Sequence, residues 1–462
     1  MRGKSDDTYK LMKPPGVFGM QARAETVSDE TIGMIGLGHV GLTLGLALAD
    51  VGFHVQGTDV NPEVLDITRA MRPHFREKGL DELLRKHIGK KLQVLEEFDV
   101  NNLPTAYFIT VGTPITRELF PDFQSIRRAA EHIGVFLKKG DIVILRSTVS
   151  IGTTREVVLP ILEKCSGLAG GRDFSLAFAP ERTIEGNAFE ELRTLPQIVG
   201  GIDAQSVERT AAIFKRMTKE IVSLNSLEAA EMVKLVNNTY RQTTFSFANE
   251  MSLIARRWGL DAKKIIQAAN SGYPRSQVPY PSPGVGGYCL TKDAYLLMNS
   301  SKRKGHDSRL LQEVQEVSST MLDSILFEIQ DFAQQYLRDK KPTRLGILGF
   351  AFKGYPLTSD VRGSMTVSLL KRLRQTKFTV AGFDPEVDPE VIQEMGATFL
   401  PSIAEVLANN DILIIMNNNP AFKDLPLALL KARTEPMFFY DAWGLYAKEQ
   451  FRELPHVHYR SL

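Results

Sequence analysis

The stretch that most constrains the fold begins at Thr31 and reads TIGMIGLGHVGLTLGLALADVGFHVQGTD. Ile32 to Ile35 is a short apolar run that ends in a glycine turn, Leu42 to Ala49 has helical spacing, and Phe53 to Thr58 has the character of a second strand. This order predicts a βαβ unit with two parallel strands. Further apolar runs in AYFITVG, DIVILRSTV and FSLAFAP alternate with helical stretches, so we predict an α/β fold with a doubly wound, mostly parallel sheet.

The pattern changes after Ser223 and later returns. Leu227 to Trp258 and Leu310 to Leu337 have helical apolar spacing, which predicts an all-helical middle region with one long central helix. From RLGILGF onward the chain repeats strand, loop, helix and strand, and FDPEV echoes the earlier TDVNPEV, which predicts a second, smaller Rossmann-like unit. We expect four segments: a flexible N-terminal extension (1–30), a first Rossmann domain (31–222), a central helical domain (223–338) and a C-terminal α/β domain (339–462).

Composition narrows the possible functions. The net charge of the 462 residues is only +2, and no dense basic patch is visible, so we expect no nucleic-acid partner. The two cysteines, Cys165 and Cys289, are too few for a disulfide framework and lack metal-ligand spacing, which predicts no metal site and a reducing, cytoplasmic compartment. Residues 1–30 contain no apolar signal-peptide core, and no run approaches 18 apolar residues, so we expect neither secretion nor a membrane partner.

The glycine turn GLGHVG contains Gly36, Gly38 and Gly41. The first glycine permits a tight turn, the second lets a pyrophosphate approach the backbone, and the third lets helix and strand pack closely. The N–H groups at the helix start, including those of His39 and Val40, would face the phosphates. A plain structural turn is the alternative, because glycine-rich turns are common.

Polar residues follow the strands of the first unit. Asp59 ends the second strand at the spacing of the acid that bonds a ribose 2′-hydroxyl, and its charge would repel a 2′-phosphate, so NAD is favoured over NADP. The alternative is that Asp59 only caps the turn into NPEV. Thr113 in VGTP, and Ser147 and Thr148 in RSTV, follow two later strands where open sheets bind ligands, although each could be a helix cap.

The stretch PGVGGYCLTKD places Cys289 directly after a glycine-rich turn. Gly284 and Gly286 would let backbone amides crowd the thiol, and a helix is predicted to begin at Lys292 and Asp293. Positive neighbours and helix N–H groups favour the nucleophilic thiolate. From these residues alone, a small buried apolar cysteine is an equally good interpretation.

Two further pairs of residues have side chains suited to acid-base chemistry. Glu181 and Glu185 in APERTIEG follow an apolar strand, where acids are well placed for proton transfer, although a solvated pair at a helix start is the alternative. Lys234 and Asn238 in KLVNNTY lie four residues apart on one face of the long helix. Asn can donate to a developing oxyanion and Lys can order or move a proton. The alternative interpretation is that the pair belongs to an exposed helix face.

Taken in order, seven motifs resemble those of the nucleotide-sugar 6-dehydrogenases, the family of UDP-glucose, UDP-N-acetylmannosamine and GDP-mannose dehydrogenases. They run from about Thr31 to the C-terminus and read GLGHVG, VGTP, RSTVSIGTT, APERTIEG, KLVNNTY, GVGGYCLTKD and GFAFK with the later SDVRGS. The resemblance implies two successive NAD-dependent oxidations of a sugar C6 alcohol to a carboxylate, through a cysteine thiohemiacetal and thioester.

The resemblance also implies a role for each matching residue. Cys289 corresponds to the nucleophile, Glu181 to the general base, and Lys234, Asn238 and Asp293 to the groups that stabilise oxyanions and position water, with Thr148 beside them. The remaining positions divide into NAD contacts at Glu185 and Arg362 and substrate contacts at Arg275, Tyr280, Gly284, Gly286, Phe352 and Lys353. The family has its active site between the two α/β domains and forms a dimer through the long helix, to which the neighbouring subunit often contributes the residue matching Arg275.

Departures from the family pattern bear on the substrate. The UDP-glucose branch has an arginine shortly after a C-terminal DG where this chain reads YDAWGL, and it has PEFL where this chain has PERT. Val64 stands where an arginine often follows the NAD acid. We therefore expect a UDP-N-acetylhexosamine substrate such as UDP-ManNAc or UDP-GlcNAc, used for a surface polysaccharide or glycan. UDP-glucose is the alternative sugar, and the rival classes are a two-electron hydroxyacid dehydrogenase and a catalytically silent nucleotide-sugar-binding protein.

Overall fold

The computed structural model describes residues 30–275, 277–339 and 342–462. The predicted N-terminal extension thus lies outside the described residues, except for Glu30. Within the described part, two α/β units flank a helical region, which confirms the predicted fold class. The same residues include no helix that combines the length and the apolar character needed to cross a bilayer.

The first sheet contains eight strands within the described residues, in the order β3-β2-β1-β4-β5-β6-β7-β8. Neighbouring strands are parallel except for the antiparallel pair β6 and β7, as the prediction of a mostly parallel sheet requires. The chain turns back at β1 and β4, which makes the crevice beyond their carboxyl ends the expected place for a ligand. The strands are β1 (Thr31–Ile35), β2 (His54–Thr58), β3 (Leu92–Val94), β4 (Ala106–Ile109), β5 (Ile142–Leu145), β6 (Ser175–Phe178), β7 (Gln197–Gly201) and β8 (Ile221–Leu224).

Helices connect these strands, and the apolar side chains between helices and sheet form two buried clusters. The parallel strands are almost continuously apolar because both faces of the sheet are covered. The helices of this unit are α1 (His39–Asp50), α2 (Pro62–Arg69), α3 (Leu80–His87), α4 (Gln124–Phe136), α5 (Leu159–Ser166), α6 (Ala188–Thr194) and α7 (Ala204–Lys215), with a π-helical turn at Thr154–Val158.

Four helices form the middle region of the described chain: α8 (Leu227–Arg257), α9 (Ala262–Asn270), α10 (Tyr288–Arg303) and α11 (Arg309–Tyr336). Helix α8 begins where the Ser226 side chain accepts a hydrogen bond from the Ala229 N–H, and its 31 residues make it about 46 Å long. The predicted long helix is therefore confirmed almost to the residue. Both α10 and α11 pack along α8, so α8 serves as the axis of this region.

The second sheet has six parallel strands among the described residues, in the order β11-β10-β9-β12-β13-β14. Its turning point lies between β9 and β12, as in the first unit it lies between β1 and β4. Its strands are β9 (Thr343–Leu348), β10 (Phe378–Phe383), β11 (Thr398–Phe399), β12 (Ile412–Ile415), β13 (Met437–Asp441) and β14 (Val457–Ser461). Its helices are α12 (Met365–Leu373), α13 (Pro389–Glu394), α14 (Ile403–Asn409) and α15 (Ala428–Lys431), with 3-10 turns at Pro420–Lys423 and Lys448–Phe451.

The predicted domain limits at residues 31, 223 and 339 remain predictions. Strand β8 belongs to the first sheet and ends at Leu224, two residues beyond the predicted limit of that domain. Polar contacts join the two α/β units directly: Arg76 of the first unit pairs with Glu386 of the second, and the Lys353 Nζ donates to the Glu185 carbonyl at 2.8 Å. The carboxyl-end crevice of the first sheet is therefore closed on one side by the second unit.

Candidate active site

The glycine turn after β1 has the geometry that its three glycines predict. Gly36 has a φ of +93°, a conformation that side-chain-bearing residues rarely adopt. A Cβ on Gly38 would meet no atom within 4 Å, whereas a Cβ on Gly41 would lie 1.8 Å from the Gly36 carbonyl oxygen. The turn is therefore open at Gly38, where a phosphate can approach, and closely packed at Gly41.

The start of α1 presents free backbone donors at this turn. The first helical hydrogen bond runs from the Leu42 N–H to the Gly38 carbonyl at 2.9 Å, so the N–H groups of His39, Val40 and Gly41 precede the helical ladder. The His39 Nε2 lies 3.1 Å from a buried Glu77 carboxylate oxygen. These donors and the positive end of the helix suit a pyrophosphate.

Asp59 lies half-buried at the end of β2 beside the glycine turn. One carboxylate oxygen accepts from the Leu37 N–H at 2.7 Å, and the other accepts from the Asn61 N–H at 2.9 Å. Asp59 thus does stabilise the turn into α2, as the alternative interpretation held. Each oxygen nevertheless keeps a lone pair for a further donor, so this arrangement also fits a ribose hydroxyl.

The predicted polar residues after β4 and β5 meet at the same edge of the sheet. The Thr113 hydroxyl donates to the Thr148 carbonyl at 2.6 Å, and the Ser147 hydroxyl donates to the Val111 carbonyl at 2.6 Å. These two bonds join the loops that follow the two strands. Thr113 and Ser147 are buried and Thr148 is half-buried, so Thr148 offers the more accessible side chain.

Cys289 is the second residue of α10 rather than a residue before the helix. The predicted helix start at Lys292 and Asp293 is therefore wrong, because Gly287, with a φ of +94°, ends the glycine loop and lets the helix begin at Tyr288. Cys289 is exposed as a residue, which argues against a buried apolar cysteine, although the surrounding protein shields its sulfur from much of the solvent. The surrounding protein raises the pKa of the thiol by desolvation, whereas Lys234 opposes that rise.

A buried polar network lies one turn along α10 from the cysteine. The fully buried Asp293 accepts from the Asn238 side-chain amide at 2.6 Å and from the Lys292 Nζ at 2.7 Å. Lys234 and Asn238 are only 8% and 7% exposed, so the alternative of an exposed helix face is wrong for both. The structure thus brings Lys234 and Asn238 of α8 together with Cys289 and Asp293 of α10.

Glu181 follows β6 and is held by a buried arginine. Its Oε2 accepts from the Arg146 Nε at 3.1 Å and Nη2 at 2.6 Å, and its Oε1 accepts from the Arg182 and Thr183 N–H groups. Although burial opposes ionisation, Arg146, the Thr183 N–H and Lys234 lower the pKa of Glu181 to about 2. Glu181 is therefore an ionised, buried carboxylate and not a member of a solvated pair.

The glycine loop before Cys289 packs against the second α/β unit. A Cβ on Gly284 would lie 2.2 Å from the Met365 methyl carbon, and one on Gly287 would lie 2.8 Å from the Phe352 ring. Gly286 also lies near that unit, since a Cβ there would be 3.3 Å from the Phe352 carbonyl oxygen. Only glycines allow this approach, so the cysteine loop is fixed against the loop that follows β9.

Charged residues continue from this contact toward the first unit. The Thr358 hydroxyl donates to the Glu185 carboxylate at 3.3 Å, while Lys353 bonds the carbonyl of the same residue. Burial lowers the pKa of Lys353, and Glu185 acts in the opposite direction. Arg362 pairs with Asp360 at 2.7 Å and lies 5.1 Å from the centre of the Tyr288 ring, beside the cysteine helix. The predicted residues Glu185, Lys353 and Arg362 therefore border the same crevice.

Two predicted substrate residues have no described contact with this cluster. Arg275 is exposed, with its guanidinium 5.1 Å from the centre of the Tyr273 ring. Tyr280 is 45% exposed and lies under the Lys263 ammonium, 5.5 Å from its ring centre. Both stay predictions, and the exposure of Arg275 is compatible with a contact to another subunit.

Sequence reasoning missed Arg146, although the sequence contains a signal for it. The arginine directly follows four apolar strand residues in IVILRST, and an arginine at such a place is buried only when it is paired. Besides Glu181, its guanidinium donates to the Ala179 carbonyl at 3.2 Å and the Gln197 side chain at 3.3 Å. What the sequence does not show is which acid accepts these bonds.

The residues of the first unit fit a bound dinucleotide. The open backbone at Gly38, the free N–H groups at the start of α1 and the strand-end carboxylate of Asp59 are what a pyrophosphate and an adenosine ribose require. Cys289, with lysine, asparagine and aspartate neighbours, follows a glycine loop that packs against the second unit. Fold and site together define a dinucleotide-dependent dehydrogenase.

Comparison with known proteins narrows this class. Three models of the UDP-glucose/GDP-mannose dehydrogenase family match the chain: the NAD binding domain over residues 30–218, the central domain over 228–320 and the UDP binding domain over 346–448. The chain belongs to the UDP-glucose/GDP-mannose dehydrogenase family and is an NAD-dependent nucleotide-sugar dehydrogenase.

Individual relatives are similar over nearly their whole length. A UDP-N-acetyl-D-mannosamine dehydrogenase of Pyrococcus horikoshii is 30% identical over 397 residues, which are 85% of this chain and 90% of the relative. An NDP-N-acetyl-D-galactosaminuronic acid dehydrogenase of Ralstonia solanacearum is 27% identical over 89% of this chain and 96% of its own length. Among solved structures, a UDP-D-ManNAc dehydrogenase from Pyrococcus horikoshii has a TM-score of 0.83 at 28% identity, covering 93% of this chain and 98% of its own. A UDP-glucose dehydrogenase from Pyrobaculum islandicum has a TM-score of 0.82 at 25% identity, covering 95% and 99%.

Proposed function

We propose that this protein oxidises the C6 alcohol of a UDP-N-acetylhexosamine to the uronate, with Cys289 forming a covalent intermediate. The observation that carries the proposal is the meeting of Cys289 and Asp293 on α10 with Lys234 and Asn238 on α8. A simple alcohol oxidation needs no nucleophilic thiol. An accessible cysteine at this place therefore favours oxidation beyond the aldehyde.

The cysteine divides the oxidation into two steps that each release two electrons. The glycine turn, the start of α1 and Asp59 would hold NAD, which when bound would supply the hydride acceptor for both oxidations, so the complete reaction would require two NAD. After the first oxidation, the Cys289 sulfur forms a bond to the aldehyde carbon, and the aldehyde oxygen takes up the thiol proton to give a thiohemiacetal. Loss of a hydride and the hydroxyl proton then leaves a thioester, and attack of water returns the thiol and releases the carboxylate and a proton.

The two helices supply donors for the oxygen that becomes charged in these steps. Asn238 donates one amide N–H to Asp293, and its second amide N–H is available for another acceptor. The Lys234 ammonium has three N–H donors, and its charge lowers the pKa of the Cys289 thiol. Such donors stabilise an oxyanion strongly when they are fixed and shielded from water. The fully buried Asp293 is the acceptor that orients Asn238.

Glu181 is the predicted base for the water that attacks the thioester. A carboxylate with a pKa near 2 takes up a proton poorly at neutral pH, and both of its oxygens already accept hydrogen bonds. The pairing with Arg146 has to loosen before Glu181 accepts that proton. In the arrangement described here, Glu181 acts as a fixed negative charge beside Lys234.

The sugar is proposed from the relatives and from the sequence departures together. The two relatives with the names UDP-N-acetyl-D-mannosamine dehydrogenase and NDP-N-acetyl-D-galactosaminuronic acid dehydrogenase match along 85% and 89% of this chain. The absence of the UDP-glucose branch residues in PERT and YDAWGL points the same way. UDP-glucose is the second candidate, because a UDP-glucose dehydrogenase has a nearly equal structural similarity.

The proposed assembly is a homodimer or a larger homo-oligomer in the cytoplasm, supplying a uronate for a polysaccharide. Its support is an apolar stripe along α8 that is exposed in the single chain, with Met232, Val236, Tyr240 and Phe247 between 44% and 70% accessible. Residues three, four and seven apart share a helix face, so this stripe suits a helix from a second subunit. The exposed Arg275 would then serve the neighbouring active site.

The decisive experiment is the ratio of NADH formed to sugar consumed. UDP-ManNAc, UDP-GlcNAc, UDP-GalNAc, UDP-glucose and GDP-mannose are offered separately to the purified protein. We expect two NADH per molecule of one UDP-N-acetylhexosamine. Two NADH from UDP-glucose alone would replace the sugar and keep the chemistry, whereas one NADH per sugar would contradict the covalent route.

A further inference from the structure

The loop after β5 contacts both helices that bear the proposed catalytic residues. This loop, defined here as residues 147–154, begins with Ser147 and Thr148 at the sheet edge and ends in the π-helical turn. It is enclosed between α8 on one side and α10 on the other, as its hydrogen bonds show. The relative position of sheet, α8 and α10 therefore depends on how this loop is held.

On the side of α8, the loop is held by Glu231. One carboxylate oxygen accepts from the Gly152 N–H at 2.5 Å, and the other accepts from the Thr154 N–H at 2.8 Å and the Thr154 hydroxyl at 2.6 Å. Glu231 is 1% exposed and Thr154 is fully buried. All three donors come from the loop, so one side chain fixes the loop to the helix.

On the side of α10, the loop is held by Ser300. The Ser300 hydroxyl accepts from the Ile151 N–H at 2.9 Å, and the Ser150 hydroxyl lies 3.4 Å from the Leu296 carbonyl. Ser300 lies on the same helix as Cys289 and Asp293. The loop is therefore a three-way junction between the sheet, the Lys234 helix and the Cys289 helix.

Burying the ionisable side chain of Glu231 is unfavourable for a contact that has only a structural role. Burial raises its pKa to about 7, although the bonds from Thr154 and Gly152 oppose the rise. A neutral side chain would avoid that penalty, but it would lack two acceptor oxygens for three donors. Glu231 also lies one helical turn before Lys234 on the same face of α8, so the loop is held at the part of the helix that bears the lysine.

We infer that Glu231 is a positioning residue: by fixing residues 150–154 between α8 and α10, it holds Lys234 and Asn238 in register with Cys289 and Thr148. The inference rests on the proposed function, because it concerns the alignment of groups that carry out that reaction. Glu231 itself touches neither the thiol nor the glycine turn in any described contact. Its loss should therefore slow turnover without weakening the binding of cofactor or sugar.

The test compares Glu231→Gln with Glu228→Gln, both measured in the full-length protein. Glu228 lies on the same helix one turn earlier and pairs at the surface with Arg155 at 2.6 Å, so it is a matched control. We expect Glu231→Gln to lower kcat about tenfold, with KM for NAD and for the sugar changed by less than about twofold. Glu228→Gln should keep kcat within about twofold of the wild type.

A second variant keeps the inference testable if Glu231→Gln does not fold. Thr154→Val removes only the hydroxyl donor at nearly constant shape, and it should lower kcat about threefold with unchanged KM values. If Glu231→Gln folds and its kcat is unchanged, the inference is overturned. If Glu231→Gln does not fold, an unchanged kcat in Thr154→Val overturns the inference. A rise in KM that accounts for the whole loss also overturns it. A wild type that oxidises none of the nucleotide sugars contradicts the proposed function instead, which separates the two failures.

Discussion

The two α/β units contain the same strand, loop, helix, strand and acid, but the acids differ in burial. Asp59 ends β2 half-buried, and its carboxylate accepts from two backbone N–H groups, those of Leu37 and Asn61. Asp384 follows β10, is only 1% exposed, and accepts from the Phe350 and Ala351 N–H groups and the Asn417 amide. Asp59 is thus open to a ligand, whereas Asp384 is fully engaged with the protein.

The turns before these acids explain the difference. In the first unit α1 begins at His39, four residues after β1, because the close approach at Gly41 brings helix and strand together. In the second unit sixteen residues, 349–364, separate β9 from α12, and that loop contributes Phe352 and Lys353 to the crevice. Asp384 holds the start of this long loop through the Phe350 and Ala351 N–H groups, whereas Asp59 holds the short glycine turn through the Leu37 N–H and stays partly open to a ligand.

Cys289 depends on both units and should show the largest effect of substitution. Its loop is bonded to the second unit through the Gly287 N–H and the Gly363 carbonyl, at 3.0 Å, while the first unit binds NAD. Cys289→Ser should lower the formation of uronate roughly 10³-fold or more, because a hydroxyl replaces the nucleophilic thiol. The measurement is uronate release with the binding of NAD and of UDP-sugar determined separately.

The matched control for that variant is Cys165→Ser, which replaces the other free cysteine of the described chain, on α5. We expect Cys165→Ser to keep wild-type turnover, and Cys289→Ser to bind both ligands. Two NADH per sugar from Cys289→Ser would contradict the covalent role. Loss of binding in that variant would mean that the thiol also holds the contact between the two units.

Glu181 is a strand-end acid of the first unit, like Asp59, but it is buried, like Asp384. Its substitution tests whether burial, and not membership of one unit, determines that such an acid stabilises the fold. Glu181→Gln leaves the buried Arg146 without a charged partner and should lower the free energy of unfolding by roughly 3–5 kcal/mol at pH 7. The folded-state pKa, about 2, lies below the ordinary value of 4.5. The ionised group therefore stabilises the fold above pH 4.5, and this contribution is lost as the pH falls toward 2.

Urea unfolding of the wild type and Glu181→Gln at several pH values measures this effect. The difference between the two proteins should be largest near neutral pH and should shrink below pH 4.5. Glu185→Gln is the control on the same segment, since its half-buried carboxylate accepts only a 3.3 Å bond from Thr358 among the described contacts. A pH-independent difference would show that Glu181 contributes through packing and not through its charge.

Asp384 and Asp59 should differ in stability when each is replaced by alanine. Asp384→Ala leaves the Phe350 and Ala351 N–H groups buried without an acceptor, and we expect a loss of about 2–4 kcal/mol in the free energy of unfolding. Asp59→Ala should cost less, about 1–2 kcal/mol, because it leaves only the buried Leu37 N–H without an acceptor, while water can reach the exposed Asn61 N–H. Equal losses in the free energy of unfolding, measured with urea, would contradict the proposal that Asp384 stabilises the fold and Asp59 is open to a ligand.

Local pattern was sufficient to predict most of the architecture. The glycine turn, β1, β2 and α8 follow from spacing within short windows, and the structure has them within about a residue of the predicted limits. The start of α10 was predicted four residues late, since glycines before a helix obscure where it begins. The positive φ of Gly287 decides that boundary, and φ is not visible in the residue type alone.

The contacts between distant residues could not be predicted in the same way. The pairing of Arg146 with Glu181 spans 35 residues and depends on β5 and β6 being parallel neighbours whose carboxyl ends coincide. Glu231 reaches a loop 77 residues earlier in the chain because helix α8 packs against the segment that follows β5. The positions of Arg275 and Tyr280 depend on loops and on possible subunit contacts, about which spacing gives no information.

The smallest expected effect concerns the choice of cofactor at Asp59. Asp59→Ala removes the acceptor proposed for the ribose hydroxyl and should raise the Kd for NAD about tenfold, or roughly 1.4 kcal/mol. The discrimination against NADP should fall more than NAD binding does, because the variant also lacks the charge that repels a 2′-phosphate. Asp66→Ala, at an exposed residue of α2, is the control and should change neither Kd. If Asp59→Ala keeps the wild-type ratio of the Kd for NAD to the Kd for NADP, Asp59 only stabilises its turn, as Asp384 stabilises the loop of the second unit.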